Sequence, residues 1–245
     1  YNRALTTQKK LLGEEHIAVA STLIEKAITE FLKNKEAEGI LETLTKSATI
    51  VEKQLGKENP LYAEMLQYIA DYYISTNQLE KADSYLEQAN FIWLQKAGLG
   101  KTNINSTYIL SLRSEILKKQ EKYTEALELL TTSSSQYKRL FHKEHPKYVE
   151  TLSKMAKLYY VMGNEKKAIK TLNKTTNIYL DFISNYFDGL SERQKNKFWN
   201  LIRSDFEFYN TIALKSGKAK LIAKSYKHVL QTKGILLNSS VALRR

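Results

Sequence analysis

The sequence predicts an all-α fold, a right-handed stack of antiparallel helix pairs with no β-sheet, and two observations predict it. The first is a text that restarts four times. Its openings are Leu12-Gly13-Glu14-Glu15-His16, Leu55-Gly56-Lys57-Glu58-Asn59-Pro60, Leu99-Gly100-Lys101-Thr102-Asn103 and Phe141-His142-Lys143-Glu144-His145-Pro146. Counted from Gly13, the steps are 43 residues to Gly56, 44 to Gly100 and 42 to His142. A fixed period of this length marks a solenoid of helix pairs. The second observation is small residues that keep register: Ala70, Ser114 and Ala156 in the first helices, Ala82, Ala126 and Ala168 in the second. Small side chains let paired helices approach closely, so that large neighbours interlock.

The elements follow in order. Residues 1–12 read as the end of a preceding second helix, because Lys9-Lys10-Leu11-Leu12-Gly13 parallels Glu52-Lys53-Gln54-Leu55-Gly56. That places the start of the array upstream of Tyr1. In the first unit Ala27 and Ala37 stand closer than the small residues of later units, which predicts a tighter turn. Ile69, Tyr73, Leu86, Leu117, Leu130, Met155, Tyr159 and Leu172 are the candidate core. Asn77-Gln78, Gln120-Glu121-Lys122 and Gly163-Asn164 read as short polar turns between antiparallel helices. Pro60 and Pro146 suit a first helical turn, where a missing amide hydrogen costs little.

After residue 182 the repeat text stops. Ser191 can cap a new helix, whose apolar face would be Phe198, Trp199, Ile202, Phe206, Tyr209 and Ile212. Ser216-Gly217 breaks it, and a last helix runs from about Lys218 towards Leu243. The expected organisation is a repeat array of about four units over 1–182, then helical capping segments over 183–245. The aromatic residues of the second part would cover the apolar face that a terminal solenoid unit exposes.

Composition narrows the function classes. There is no cysteine among the 245 residues, which removes disulfides, thiolate metal sites and a cysteine nucleophile from this segment. No run reaches the length a membrane span needs. The net charge of +12 is uneven. Residues 1–180 carry 26 Lys and Arg against 21 Asp and Glu, whereas 181–245 carry 12 against 5. Six lysines and no acid lie from Lys215 to Lys233. Lys220, Lys224 and Lys227 share one helical face, opposite Ile222, Tyr226, Val229 and Leu236. That face reads either as a solvated surface or as a basic docking face.

Motifs for chemistry are weak. Gly98-Leu99-Gly100-Lys101-Thr102 mimics the end of a phosphate-binding loop, but Gln95 stands where that loop needs glycine. His142 and His145 lack further ligands nearby and read as packing at a unit boundary rather than a metal site. Sequons at Asn105, Asn173 and Asn238 read as chance matches. The sixteen tyrosines read as core and groove lining rather than base-stacking platforms. No catalytic residue, cofactor or metal is expected, and residues 1–245 alone should hydrolyse nothing.

The repeat text resembles the tetratricopeptide repeat in its long, kinesin-light-chain-like form, over about residues 12–180. Leu55–Pro60 and Lys143–Pro146 carry the closest resemblance. The resemblance implies a superhelix whose first helices line a concave groove for a protein or peptide. It places Ser21, Ile24, Ile28 and Phe31 there, then Glu64, Gln67, Asp71 and Ile74. Tyr108, Ser111, Glu115 and Lys118 follow, then Glu150, Ser153, Lys157 and Tyr160. The Lys, Asn and Arg clamp by which some members grip a carboxylate is absent. Charge reversal at Asp71, Glu115 or Lys157 should then weaken a partner at little cost in stability.

The text of 190–195, of Arg203–Phe206 and above all of Thr232–Ser240 resembles the helical connector of CHAT-domain, caspase-like proteins. This implies a C-terminal protease domain of the same chain beyond Arg245. The expected function is a protein-interaction scaffold, the partner-sensing arm of such a protease. A stand-alone adaptor is the alternative, and a nucleic-acid-binding repeat the weaker one. The expected location is the cytoplasm, with an upstream targeting segment left open.

Overall fold

The structure, a computed structural model, describes residues 1–34, 39–96 and 104–242. Among them are eleven α-helices and no strand: α1 (Asn2–Leu12), α2 (Ile17–Lys33), α3 (Ile40–Leu55), α4 (Pro60–Ser75), α5 (Leu79–Phe91), α6 (Ile104–Lys119), α7 (Tyr123–Leu140), α8 (Pro146–Val161), α9 (Glu165–Tyr186), α10 (Glu192–Ser216) and α11 (Ala219–Ala242). Ala37 and the Gly98–Thr102 segment lie outside the described residues, as do the side chains of 234–242. None of the described helices is long and apolar enough to cross a membrane. The chain divides inside α7 into two compact units, Tyr1–Gln136 and Tyr137–Arg245.

The repeated text is a stop-and-start signal. Gly56 ends α3 at φ 82, a backbone conformation that side chains disfavour. Asn59 then accepts from the Leu61 amide at 2.9 Å, and Pro60 takes the first helical position of α4. Such an asparagine cap contributes about 1 kcal/mol. His16 and His145 do the same work with a ring nitrogen. Nδ1 of each accepts the amide two residues on, at 3.1 Å from Ala18 and 3.3 Å from Lys147.

The turns inside the pairs share one geometry. The Gln78 amide donates to the Tyr73 carbonyl at 2.8 Å, and the Asn77 amide to Ile74 at 3.2 Å. Lys122 and Glu121 donate in the same way to Leu117 and Lys118, and Asn164 and Gly163 to Tyr159 and Tyr160. This double closure puts one residue in the left-handed region: φ is 61 at Asn77, 62 at Glu121 and 75 at Gly163. In the first pair α2 ends at Lys33 and α3 starts at Ile40, and the tighter turn expected between them falls on residues 35–38, outside the described residues.

In the Tyr1–Gln136 unit, Ala70, Ser114, Ala82 and Ala126 are buried at the seams where helices meet. Leu66, Ile69, Leu86, Ile109 and Ile116 fill the space they leave. Small hydroxyls tie the same seams. Ser47 of α3 donates to the Ala20 carbonyl of α2 at 2.8 Å, and Ser133 of α7 to Thr107 of α6 at 3.2 Å.

In the Tyr137–Arg245 unit, α8 pairs with α9, α9 with α10, and α10 with α11. Ala156, Ala168 and Leu172 are buried between the first two. Ser191 opens α10 with a reciprocal cap to Gln194, and Gly217 closes it at φ 64. Aromatic rings join α9 to α10. Phe182 stacks on Phe198 with centroids 4.6 Å apart, and Phe187 meets Phe198 edge-on at 5.5 Å.

Candidate partner-binding cleft

The groove positions named from the sequence meet different surroundings. In the Tyr1–Gln136 unit, Ile24, Gln67, Ile74 and Ser111 are buried. Ile28, Phe31, Glu64, Asp71, Tyr108 and Glu115 are partly exposed, and Ser21 and Lys118 are exposed. Ser21, Ile24 and Glu64 come together around a small pocket of about 170 Å³ between α2, α3 and α4. Glu64 accepts from the Tyr68 hydroxyl at 3.3 Å. Burial, and then the charge of Glu64, push that phenol up to about 12. Glu115 lies 3.5 Å from Lys118.

A second cleft, lined by more apolar surface, lies in the Tyr137–Arg245 unit. It has a volume of about 340 Å³ and is walled by α8, α9 and α10. From α8 come Val149, Glu150, Ser153, Lys154 and Lys157; from α9 Ile178, Tyr179 and Phe182; from α10 Phe198, Leu201, Ser204 and Asp205. Three groove positions named from the sequence, Glu150, Ser153 and Lys157, therefore stand together here. Tyr160 sits apart from the lining and meets Phe208 edge-on at 5.4 Å.

Asp205 organises one side of the cleft. It is 3% exposed. Ser153 donates to its Oδ1, Lys157 Nζ lies 3.0 Å from the same oxygen, and the Tyr179 hydroxyl donates to Oδ2 at 3.1 Å. A buried carboxylate needs such partners, since leaving it unpaired costs several kcal/mol. Burial, reinforced by Asp205, raises the Tyr179 phenol far above its usual range, so it stays a donor. With three donors already engaged, this carboxylate serves as an anchor for helices rather than as a general base. Lys157 consequently supports a buried charge, so its reversal carries a stability cost that a free surface lysine would not.

Glu150 faces the cleft from α8, with Glu144 also in the lining. Burial alone would raise its carboxyl, but Lys154 and Lys147 outweigh that and hold it below the usual carboxylate range. Lys147 Nζ lies 3.1 Å from Oε2 and Lys154 Nζ 3.5 Å from Oε1. Opposite these charges stand Phe182, Phe198 and Leu201, the last 68% exposed. Sequence reasoning missed Phe182, Leu201 and Asp205 as cleft residues. The apolar pattern of α10 was visible, but not that its Leu201 edge would look outward across α8.

The basic face is only partly outward. Lys220 and Lys227 are exposed, whereas Lys224 reaches back and donates to Asn173 Oδ1 of α9. Ser225 likewise donates to Asn210 of α10. These two bonds roll α11 so that His228 and Thr232 are buried and Ile222 and Tyr226 are exposed, the reverse of an apolar edge turned inward. His145, besides capping α8, stacks on Phe141 at 4.0 Å, and burial followed by Lys147 lowers its pKa.

Residues 106–181 match the tetratricopeptide repeat family model. No curated protein matches the chain in sequence. Among solved structures, BtubC (BKLC) from P. vanneervenii is similar at 17% identity, with 97% of this chain and 92% of that one covered and a TM-score of 0.60. The TPR-like repeats of a kinesin light chain from Podosopora anserina are similar at 21% identity, covering 74% and 84%, with a TM-score of 0.55. Residues 106–181 thus carry tetratricopeptide repeats, and the chain shares the helix-pair repeat fold of these two structures.

Proposed function

We propose that the chain is a protein-interaction scaffold that grips an extended partner segment along its first helices. The cleft beside α8 would serve as the anchor. The observation that supports this is the pairing of apolar Phe182, Phe198 and Leu201 with charged Glu150, Lys154 and Lys157 around one opening. A volume of about 340 Å³ sits at the low end of ligand pockets. It suits one or two side chains of a longer peptide, an apolar one against the rings and a donor towards Glu150. The test is a display selection of unstructured peptides on the chain. Selected peptides should carry a large apolar residue, and Leu201→Arg should abolish their binding without lowering the melting temperature. If Glu87→Lys or Glu128→Lys on the second helices hurt binding more, the groove reading fails.

A finer reading makes this scaffold the repeat arm of a CHAT-type protease. The text of Thr232–Ser240 supports it. Its test is the product of the whole gene: a cysteine protease domain after Arg245, with peptide hydrolysis that changes when the groove is filled, is the expected result. A product without that domain leaves the stand-alone adaptor.

A further inference from the structure

The last helix presents a second surface, separate from the groove. Of the second helices before it, α3 packs on α2 and α4, α5 on α4 and α6, and α9 on α8 and α10. Among the described residues Lys224 of α11 reaches Asn173 of α9, and α11 packs on α10. There His228 and Thr232 are buried, with the imidazole edge-on to Phe206 at 5.4 Å and Tyr209 at 4.8 Å. Its outer side is not a polar one. Ile222, Tyr226 and Leu230 recur every four residues and are 38%, 64% and 54% exposed. Side chains four apart on a helix form one stripe, here about 12 Å long at 1.5 Å per residue.

The charges beside this stripe are of one sign. Lys220 and Lys227 stand seven residues apart and so line the same edge, and Lys233 stands at the far end. All three are exposed. No acidic residue occurs from Lys215 to Lys233. Lys218 is already engaged, 2.9 Å from Glu165 of α9.

We propose that this outer side of α11 docks an acidic amphipathic α-helix of another protein. The stripe, at i, i+4 and i+8, is one apolar face of the kind through which one helix reads another. The lysine edge calls for Asp and Glu along one side of the incoming helix, which sets its direction as well as its identity. A second copy of this chain is disfavoured, because antiparallel or parallel pairing of α11 with itself sets lysines near lysines. The surface goes beyond the groove reading and is independent of it.

The test starts from the full chain carrying Leu201→Arg, which closes the groove to peptides and so separates the two readings. A displayed library of helical peptides with fixed apolar positions and randomised flanks is selected on it. Enriched sequences should carry Asp or Glu along one edge. Their binding should fall about tenfold or more with Lys220→Glu plus Lys227→Glu, and also with Tyr226→Ser, while melting stays unchanged. Phosphatidylserine vesicles, offered in parallel, should bind less than the best peptide-sized competitor can displace. Enrichment without acidic bias, binding that survives both variants, or capture by vesicles alone would each overturn the proposal.

Discussion

The same helical positions meet two different worlds in α2 and in α8. Ile24 is buried among α3 and α4 neighbours, with Ile28 and Phe31 half-covered beside it. Their equivalents on α8 are Ser153, Lys157 and Tyr160, and α10 takes hold of all three, through Asp205 and Phe208. Register sets where a first-helix side chain points. Chemistry sets what will cover it: apolar positions collapse onto another helix pair, whereas polar ones require a partner that brings the complementary charge.

The contrast can be broken at its two centres. Ile24→Ala removes a buried branched side chain and should cost about 2–5 kcal/mol. Asp205→Ala strands the Ser153 and Tyr179 hydroxyls, at about 1–3 kcal/mol for such unmet donors. Urea unfolding followed by amide exchange should place the first loss in α2–α4 and the second in α8–α10. Equal loss of protection in both regions for either variant would show that the contrast is not real.

A second distinction is in pH. Burial, followed by Lys224 and Lys227, lowers the His228 imidazole to about 4. The Phe206 and Tyr209 rings of α10 face it without a hydrogen bond to either nitrogen. Such a group binds its proton more readily once unfolded. The stability it contributes is intact above pH 6.5 and drains away as the pH falls towards 4, up to about 3 kcal/mol. Denaturation at pH 7, 5.5 and 4.5 should show a decline in α10–α11 that His228→Leu reduces. An identical decline in that variant would assign the effect to other groups.

The smallest effect concerns the turns. Glu121 adopts in α6–α7 the left-handed conformation that Gly163 supplies in α8–α9. Gly163→Ala should cost about 1 kcal/mol, and Glu121→Gly should gain a few tenths, the relief of strain exceeding the added chain entropy. Melting temperatures that move in the opposite directions would remove the equivalence of the two turns.

What was legible in the sequence was local. Gly56, Asn59 and Pro60 stop one helix and start the next within five residues, so the period could be read directly from the text. Ala82, Ala126 and Ala168 could be read as seam residues because nothing larger is tolerated there. What escaped depends on distance along the chain. Ser153 looked like a groove residue until Asp205, 52 positions later, arrived to bind it. Lys224 looked like a member of an outward stripe, since its helical angle could not reveal Asn173 within reach.

Asn173 has one further consequence, and it is a matter of time. Its side-chain oxygen accepts from Tyr209, 36 residues downstream, at 3.2 Å, and from Lys224, 51 residues downstream. At a synthesis rate of roughly 5–20 residues per second, the acceptor leaves the ribosome about 2–10 s before its two donors. During that interval α9 offers a polar atom and an apolar flank with nothing to close them. Biosynthesis thus orders the assembly: α9 is laid down first, α10 settles on it through Tyr209, and Lys224 locks α11 last.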